Sequence, residues 1–148
     1  MEGVCVFDID QTLTCKETCS LEQIEWIARS IELCKENNMG IAINTARPPQ
    51  PDILFGIDSK IFNLVKDVPV YSRPAEDYYV EERKLSNMSL IANKFKVNVG
   101  KTILIDDLQS TCQLLEIQDP PIPNIHVTEE SGITEREYEA LKLKLSQL

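Results

Sequence analysis

Basic residues are scarce in this chain. Fifteen lysines and arginines face 24 aspartates and glutamates, a net charge of −9. That balance argues against general affinity for nucleic acid or anionic membranes, both of which need basic patches. Histidine is scarcer still. His126 stands alone, and no second Cys/His pair accompanies Cys15 and Cys19, so a structural zinc site is not expected. No apolar run approaches a membrane span, so a soluble protein is expected. Internal repeats, linkers and low-complexity segments are missing too. No secretory leader opens the sequence, and the five cysteines (Cys5, Cys15, Cys19, Cys34 and Cys112) are odd in number. They read as reduced thiols of a cytoplasmic protein. A glycine-rich phosphate loop is also lacking. Gly100, Lys101 and Thr102 have the ending of one, but the earlier glycine it requires is Phe95, and a strand follows where a helix should.

What is present fits one globular domain spanning residues 1–148. The length suffices for a core, and the 43% apolar share, with Trp26 and eight other aromatics, excludes a disordered chain. Val4 to Phe7 is a short continuous apolar run, the pattern of a strand buried on both faces of a parallel sheet. Ser20 and Gln23 form a capping box, and Ile24, Ile27, Ala28, Ile31 and Cys34 make a helical stripe, with Asn37, Asn38 and Gly40 as its stop. A second buried strand starts at Gly40 and ends in Thr45 and Arg47. Apolar spacing from Asp52 to Val65 suits a helix, weakened by Gly56.

Val68 to Ser72 reads as a third strand, placed near an edge by Pro69. Leu85, Met88, Ile91, Ala92 and Phe95 mark a helix that begins near Lys84. Thr102 to Ile105 is a fourth buried strand, and Thr111 to Ile117 a short helix. Ile125 to Val127 is a fifth strand, followed by a last helix capped by Thr134 and Glu137. Strands and helices alternate throughout. The expected fold class is therefore α/β: a single doubly wound, mostly parallel five-stranded sheet, Rossmann-like, with helices on both faces.

Polar residues at three strand ends call for one explanation. Asp8 and Asp10 follow the first strand, and alternation would send both side chains the same way. Thr45 follows the second strand, and Asp106 with Asp107 the fourth. In a parallel sheet these ends share one edge and converge on one crevice. Four carboxylates there suit Mg²⁺, a hard cation that is completed by water and substrate phosphate. A carboxylate nucleophile and a phosphate also repel, so a cationic side chain is expected. Lys84 is the best candidate, ahead of Lys94 and Lys101.

Taken together, these motifs resemble the haloacid dehalogenase-like (HAD) hydrolase superfamily. Phe7-Asp-Ile-Asp-Gln-Thr-Leu13 is similar to its DxDxT motif, and Ile41 to Thr45 to its strand ending in Ser or Thr. Lys84 lies 22 residues before Asp106, and Ile103 to Asp107 is similar to the last motif. Gln11 stands where many members have glycine. The resemblance covers residues 3 to about 128 and implies a Mg²⁺-dependent phosphatase. Asp8 would be the nucleophile, Asp10 the general acid and base, and Thr45 and Lys84 the phosphate-binding groups. The metal would be held by Asp8, the Asp10 carbonyl, and Asp106 or Asp107. Arg47 would meet the substrate's phosphate or its leaving portion.

A non-catalytic phospho-ligand binding module and a phosphotransferase are the alternatives within this fold. A receiver domain is excluded by order, since its lysine does not precede the acidic pair. The segments between motifs are too short for a cap domain. The expected partner is thus a phosphorylated substrate bulky enough to cover the site, or a neighbouring subunit of a homo-oligomer that serves as a lid.

Overall fold

The computed structural model describes residues 1–76 and 79–148. Its strands are β1 (Gly3–Phe7), β2 (Met39–Asn44), β3 (Val70–Tyr71), β4 (Thr102–Asp106) and β5 (Asn124–His126). Its α-helices are α1 (Leu21–Glu36), α2 (Ser59–Val65), α3 (Val80–Phe95), α4 (Gln109–Glu116) and α5 (Glu135–Gln147). The strands form one sheet in the order β3-β2-β1-β4-β5, and every pairing is parallel. The expected α/β architecture is therefore present, with an all-parallel sheet.

Period-two alternation divides the core in two. Cys5, Phe7, Ile41, Ile43, Ile103 and Ile105 pack with α1, α2 and α5. Val4, Val6, Ala42 and Leu104 point the other way, towards Met88 and Ile91 of α3 and Leu115 of α4. Each Val, Leu, Ile, Phe or Met among them stabilises the fold, when fully buried, by roughly 1.5–3 kcal/mol before chain entropy is counted. Both expected capping boxes form, Ser20 with Gln23 and Thr134 with Glu137.

The elements differ from expectation in places, for local reasons. Gly40 lies inside β2 and does not stop α1, whose C-cap is Asn37. The helix expected over 52–65 is confined to Ser59–Val65, because Gly56 adopts φ 81, a left-handed conformation that no right-handed helix passes through. Residues 51–56 form turns instead. The third strand shrinks to Val70–Tyr71, an edge strand as Pro69 suggested. Helix α3 begins at Val80, four residues before Lys84, so that lysine sits in the second turn.

The cysteines also differ. Cys15 and Cys19 form a disulfide, while Cys5, Cys34 and Cys112 are buried free thiols. The expectation of five reduced thiols is corrected, and with it goes the argument for a cytoplasmic compartment. The residues sit four apart on an irregular segment, where their Cα atoms come within 5.3 Å, inside the range a disulfide bridges. No helix among the described residues is long and apolar enough to cross a membrane.

Candidate active site

The sheet's strand order changes direction beside β1. The chain builds β2 and β3 to one side, then returns to place β4 and β5 on the other. In open α/β sheets the crevice beyond the carboxyl ends at that switch point is where ligands bind. Asp8, just past β1, and Asp106, the last residue of β4, flank it. The Asp8 amide donates to the Ile105 carbonyl (3.0 Å), which locks the two strand ends together.

Alternation decides what these ends face. Val6 and Leu104 point to α3 and α4, so Asp8 and Asp106, two residues further along each strand, reach the same side. Lys84 of α3 meets them there. Its Nζ is 3.1 Å from Asp8 Oδ1 and 2.5 Å from Asp106 Oδ2. Lys84 is 0% exposed and Asp8 4%. A lysine in the second helical turn faces an unfavourable dipole of only about 0.3–1 kcal/mol, and two adjacent carboxylates outweigh it. Lys94 and Lys101 lie elsewhere: Lys94 ends α3 beside Met39 and Phe95, and Lys101 precedes β4.

Asp107 completes a group of three carboxylates whose oxygens lie within 4.8 Å of one another. Burial is the main influence on their acidity. It pushes Asp8 from its ordinary 3.8 up to about 7, against the opposing pull of Lys84. Asp106 rises to about 6 by burial and by its proximity to Asp8. Asp107 is also raised, chiefly by burial. Too much negative charge is thus packed for one lysine to balance, and a hard divalent cation fits such a donor set.

The oxygens are not equally available. Asp106 accepts from Lys84 through Oδ2 and from the Leu108 amide through Oδ1 (2.9 Å), so both its oxygens are engaged. Asp107 is half-buried, and His126 Nε2 donates to its carbonyl at 3.1 Å. Asp107 shares a side-chain hydrogen bond with Asp8 and accepts one from its own backbone, so these two carboxylates face each other across the opening of the group.

Asp10 departs from the sequence expectation. Period-two alternation ends with β1 at Phe7, and beyond it the chain turns through Gln11, whose φ of 55 is the conformation glycine would have supplied. The Asp10 side chain, 59% exposed, emerges apart from the carboxylate group. Arg47 holds it with Nε to Oδ2 at 3.1 Å and Nη2 to Oδ1 at 2.9 Å. Nη1 of the same guanidinium donates to the Ile53 and Phe55 carbonyls, and its face lies 3.9 Å from the Phe55 ring centroid. Four of the five N–H groups an arginine carries are thereby engaged. Arg47 is buried and positions Asp10 and the 53–55 turn.

Thr45 is fully buried at the end of β2. Its Oγ1 accepts from the Arg47 amide (3.1 Å), which leaves its hydroxyl proton to donate elsewhere. The structure thus gathers Asp8, Lys84, Asp106 and Asp107 at one point, and ties Thr45, Arg47 and Asp10 into a second strand of contacts.

Sequence reasoning missed the asparagines behind Lys84. Asn44 Nδ2 donates to the Lys84 carbonyl (2.9 Å), and Asn87 Nδ2 donates to Asn44 Oδ1 (3.0 Å) and the Ser72 carbonyl (3.2 Å). Together they fix α3 against β2. One clue existed: Asn44 is a polar residue in a strand otherwise apolar, on the face that carries Asp8.

The shifted carboxylates give a pH-dependent expectation. Asp8 and Asp106 have folded-state values above their unfolded ones, so in the metal-free protein their stabilising contribution is complete below about 4. It is lost as pH rises to about 7. A divalent cation binds the ionised forms and reverses that loss. The rise in melting temperature on adding Mg²⁺ should therefore be small at pH 5 and larger at pH 7.5, as read by calorimetry. A shift that shrinks with rising pH would contradict this cluster as the binding site.

No family model matches the chain, and no curated protein matches it. Among solved structures the chain is similar to an uncharacterized protein from Corynebacterium glutamicum ATCC 13032 Kitasato. The two are 12% identical with a TM-score of 0.65, over 100% of this chain and 97% of that one. At that identity the likeness establishes a shared α/β fold and nothing finer.

Proposed function

We propose that this protein is a Mg²⁺-dependent phosphatase that hydrolyses a phosphomonoester through an aspartyl-phosphate on Asp8. One observation carries the reading: a fully buried lysine bonded to two strand-end aspartates, with a third carboxylate beside them. Such a centre is costly to bury and gains little as a core. As chemistry it supplies a nucleophile, a fixed cation and a metal-binding pair. The resemblance of the four motifs to HAD hydrolases supports the same assignment.

Asp8 attacks phosphorus from its position in the crevice, with Lys84 fixing the orientation of its carboxylate. Lys84 remains beside the transferring group and offsets its negative charge. The Thr45 hydroxyl donates to a phosphate oxygen. Asp106 keeps Lys84 in place, and Asp107 with Asp8 would hold the metal, whose positive charge would stabilise the transferring phosphoryl group. Asp10 protonates the leaving oxygen and later takes a proton from water; both its oxygens accept from Arg47, so one of those two bonds opens as the proton is carried. Arg47 was expected at the phosphate; its engaged N–H groups favour the positioning role.

A test of Asp10 follows from its separation from the metal group. Asp10→Asn should lower turnover by about 10²–10⁴-fold. The loss should be smallest for aryl phosphates, whose leaving groups need little protonation. Equal losses across a leaving-group series in the phosphoenzyme-forming step would remove Asp10 from the acid role.

Between β1 and α1, and between β2 and β3, the chain holds only turns and α2, and no cap domain stands over the crevice among the described residues. We take the substrate to be a bulky phosphorylated molecule that closes the site itself, or the site to be closed by a second subunit.

A further inference from the structure

Residues 15–19 leave the acidic turn directly and belong to no helix or strand. The Cys15–Cys19 disulfide closes this segment into a small ring. Both cysteines are partly exposed, so a reductant in solution can reach this bond. The two cysteines pack against the core, and Cys15 Sγ lies 2.9 Å from the Ser131 carbonyl, whereas residues 16–18 between them are exposed. The Lys16 amide donates to the Glu130 carbonyl (2.8 Å), and the Lys16–Glu130 ion pair (3.2 Å) is largely exposed and correspondingly weak.

Space lies on both sides of the ring. A cavity of about 590 Å³ is lined by the ring together with Gly56, Ile57 and Asp58, and another of about 300 Å³ by the ring together with Gln23, Glu130 and Ser131. Gly56, which lines the larger cavity, brings it near Arg47: a Cβ there would stand 4.0 Å from Nη2, the nitrogen that holds Asp10. Beneath the acidic turn the contact is tight. Gly132 (φ 77) lies so close that a Cβ there would come within 2.7 Å of the Thr14 carbonyl and 2.9 Å of the Thr12 carbonyl. The turn is anchored while the ring beyond it has room to move. The covalent bond ties together the two ends of the exposed stretch 16–18.

We propose that the Cys15–Cys19 disulfide is a redox-controlled clasp on the wall of the crevice. Oxidised, it holds 15–19 as one wall of the cavity beside Arg47 and Asp10. Reduced, it frees the segment, and the substrate's leaving portion loses that wall. The reductant is a dithiol. One of its thiolates attacks one ring sulfur, forming a mixed disulfide and expelling the other ring sulfur as a thiolate. Its second thiol then attacks the dithiol's sulfur in that mixed disulfide and expels the first cysteine. The dithiol gives up two electrons and two protons to become a disulfide, and Cys15 and Cys19 become thiols.

The effect on catalysis rests on the phosphatase reading and falls on substrate binding. Asp8, Lys84 and Asp106 are placed by the end of β1, by α3 and by β4, and none of the three side chains bonds to the ring. Reduction should therefore raise KM, by about five-fold or more, and leave kcat within about two-fold.

Hydrogen exchange and kinetics test this on the full chain, before and after dithiothreitol. Peptides covering 12–20 should exchange faster once reduced, while those of β1 and β4 stay unchanged. The Cys15→Ser/Cys19→Ser protein should match the reduced wild type with or without dithiothreitol. Identical exchange in the two wild-type forms would overturn the clasp. So would an unchanged KM for p-nitrophenyl phosphate and for a phosphopeptide in an active enzyme, or a double variant that still responds to dithiothreitol. If neither form turns over, the phosphatase reading falls, and the exchange difference alone decides whether the clasp exists.

Discussion

Asp8→Asn is expected to abolish turnover, with a loss on the order of 10⁵-fold, the scale on which removing a nucleophile acts. Asparagine keeps the size and one oxygen but lacks the charge that attacks phosphorus. The fold should survive. Asp8 is crowded by Asp106 and Asp107, and burial has already pushed its acidity up to about 7. Neutralising that position removes a buried negative charge, so the metal-free variant should melt no lower than wild type at pH 7.5. Paired kinetics and calorimetry check both halves. An inactive variant that is also unfolded would leave catalysis unassigned, whereas a folded, fully active variant would end the mechanism.

Lys84→Met is expected to damage both catalysis and stability. Methionine fills most of the lysine's volume, but the charge between Asp8 and Asp106 disappears. Removing one partner of a buried ion pair costs about 3–5 kcal/mol, a large share of the roughly 5–15 kcal/mol that holds a domain together. The loss should be smaller at pH 5 than at pH 7.5, because the stranded carboxylates take up protons as pH falls. Turnover should fall by about 10²–10³-fold or more, the scale of losing a fixed transition-state donor. Adding Asp106→Asn to Lys84→Met should recover part of the stability and none of the activity. Denaturant titrations at the two pH values decide it. A Lys84→Met protein as stable as wild type at pH 7.5 would show that the lysine does not balance the cluster.

Strand-end chemistry was legible because it follows from short-range rules. Apolar runs of four to six residues specify buried strands, and Asp8, Thr45 and Asp106 stand where those runs end. The spacing of Lys84 was legible too, but its depth was not. The first turn of α3 is Val80, Glu81, Glu82 and Arg83, which carries no apolar stripe, so the sequence places the helix start too late. Asp10 was misplaced because alternation governs a residue only while the strand lasts, and Gln11 turns the chain out of the sheet. Arg47 needed the 53–55 turn to show its role, and that turn depends on the left-handed Gly56. The Asn44–Asn87 contact joins residues 43 apart in sequence, beyond the reach of any local pattern. An odd cysteine count says nothing about which two come together, and Cys15–Cys19 was lost for that reason.

The central claim is that Asp8 carries the phosphoryl group, and acid-quenched turnover tests it most directly. The protein is mixed with p-nitrophenyl phosphate and Mg²⁺, quenched in acid, reduced with borohydride and digested. Borohydride converts an aspartyl-phosphate to homoserine, which marks the residue in the peptide mass. The account predicts homoserine at position 8, dependent on substrate and Mg²⁺, and none at Asp10, Asp106 or Asp107. Turnover without a mark on Asp8, or a mark on any other aspartate, would contradict it.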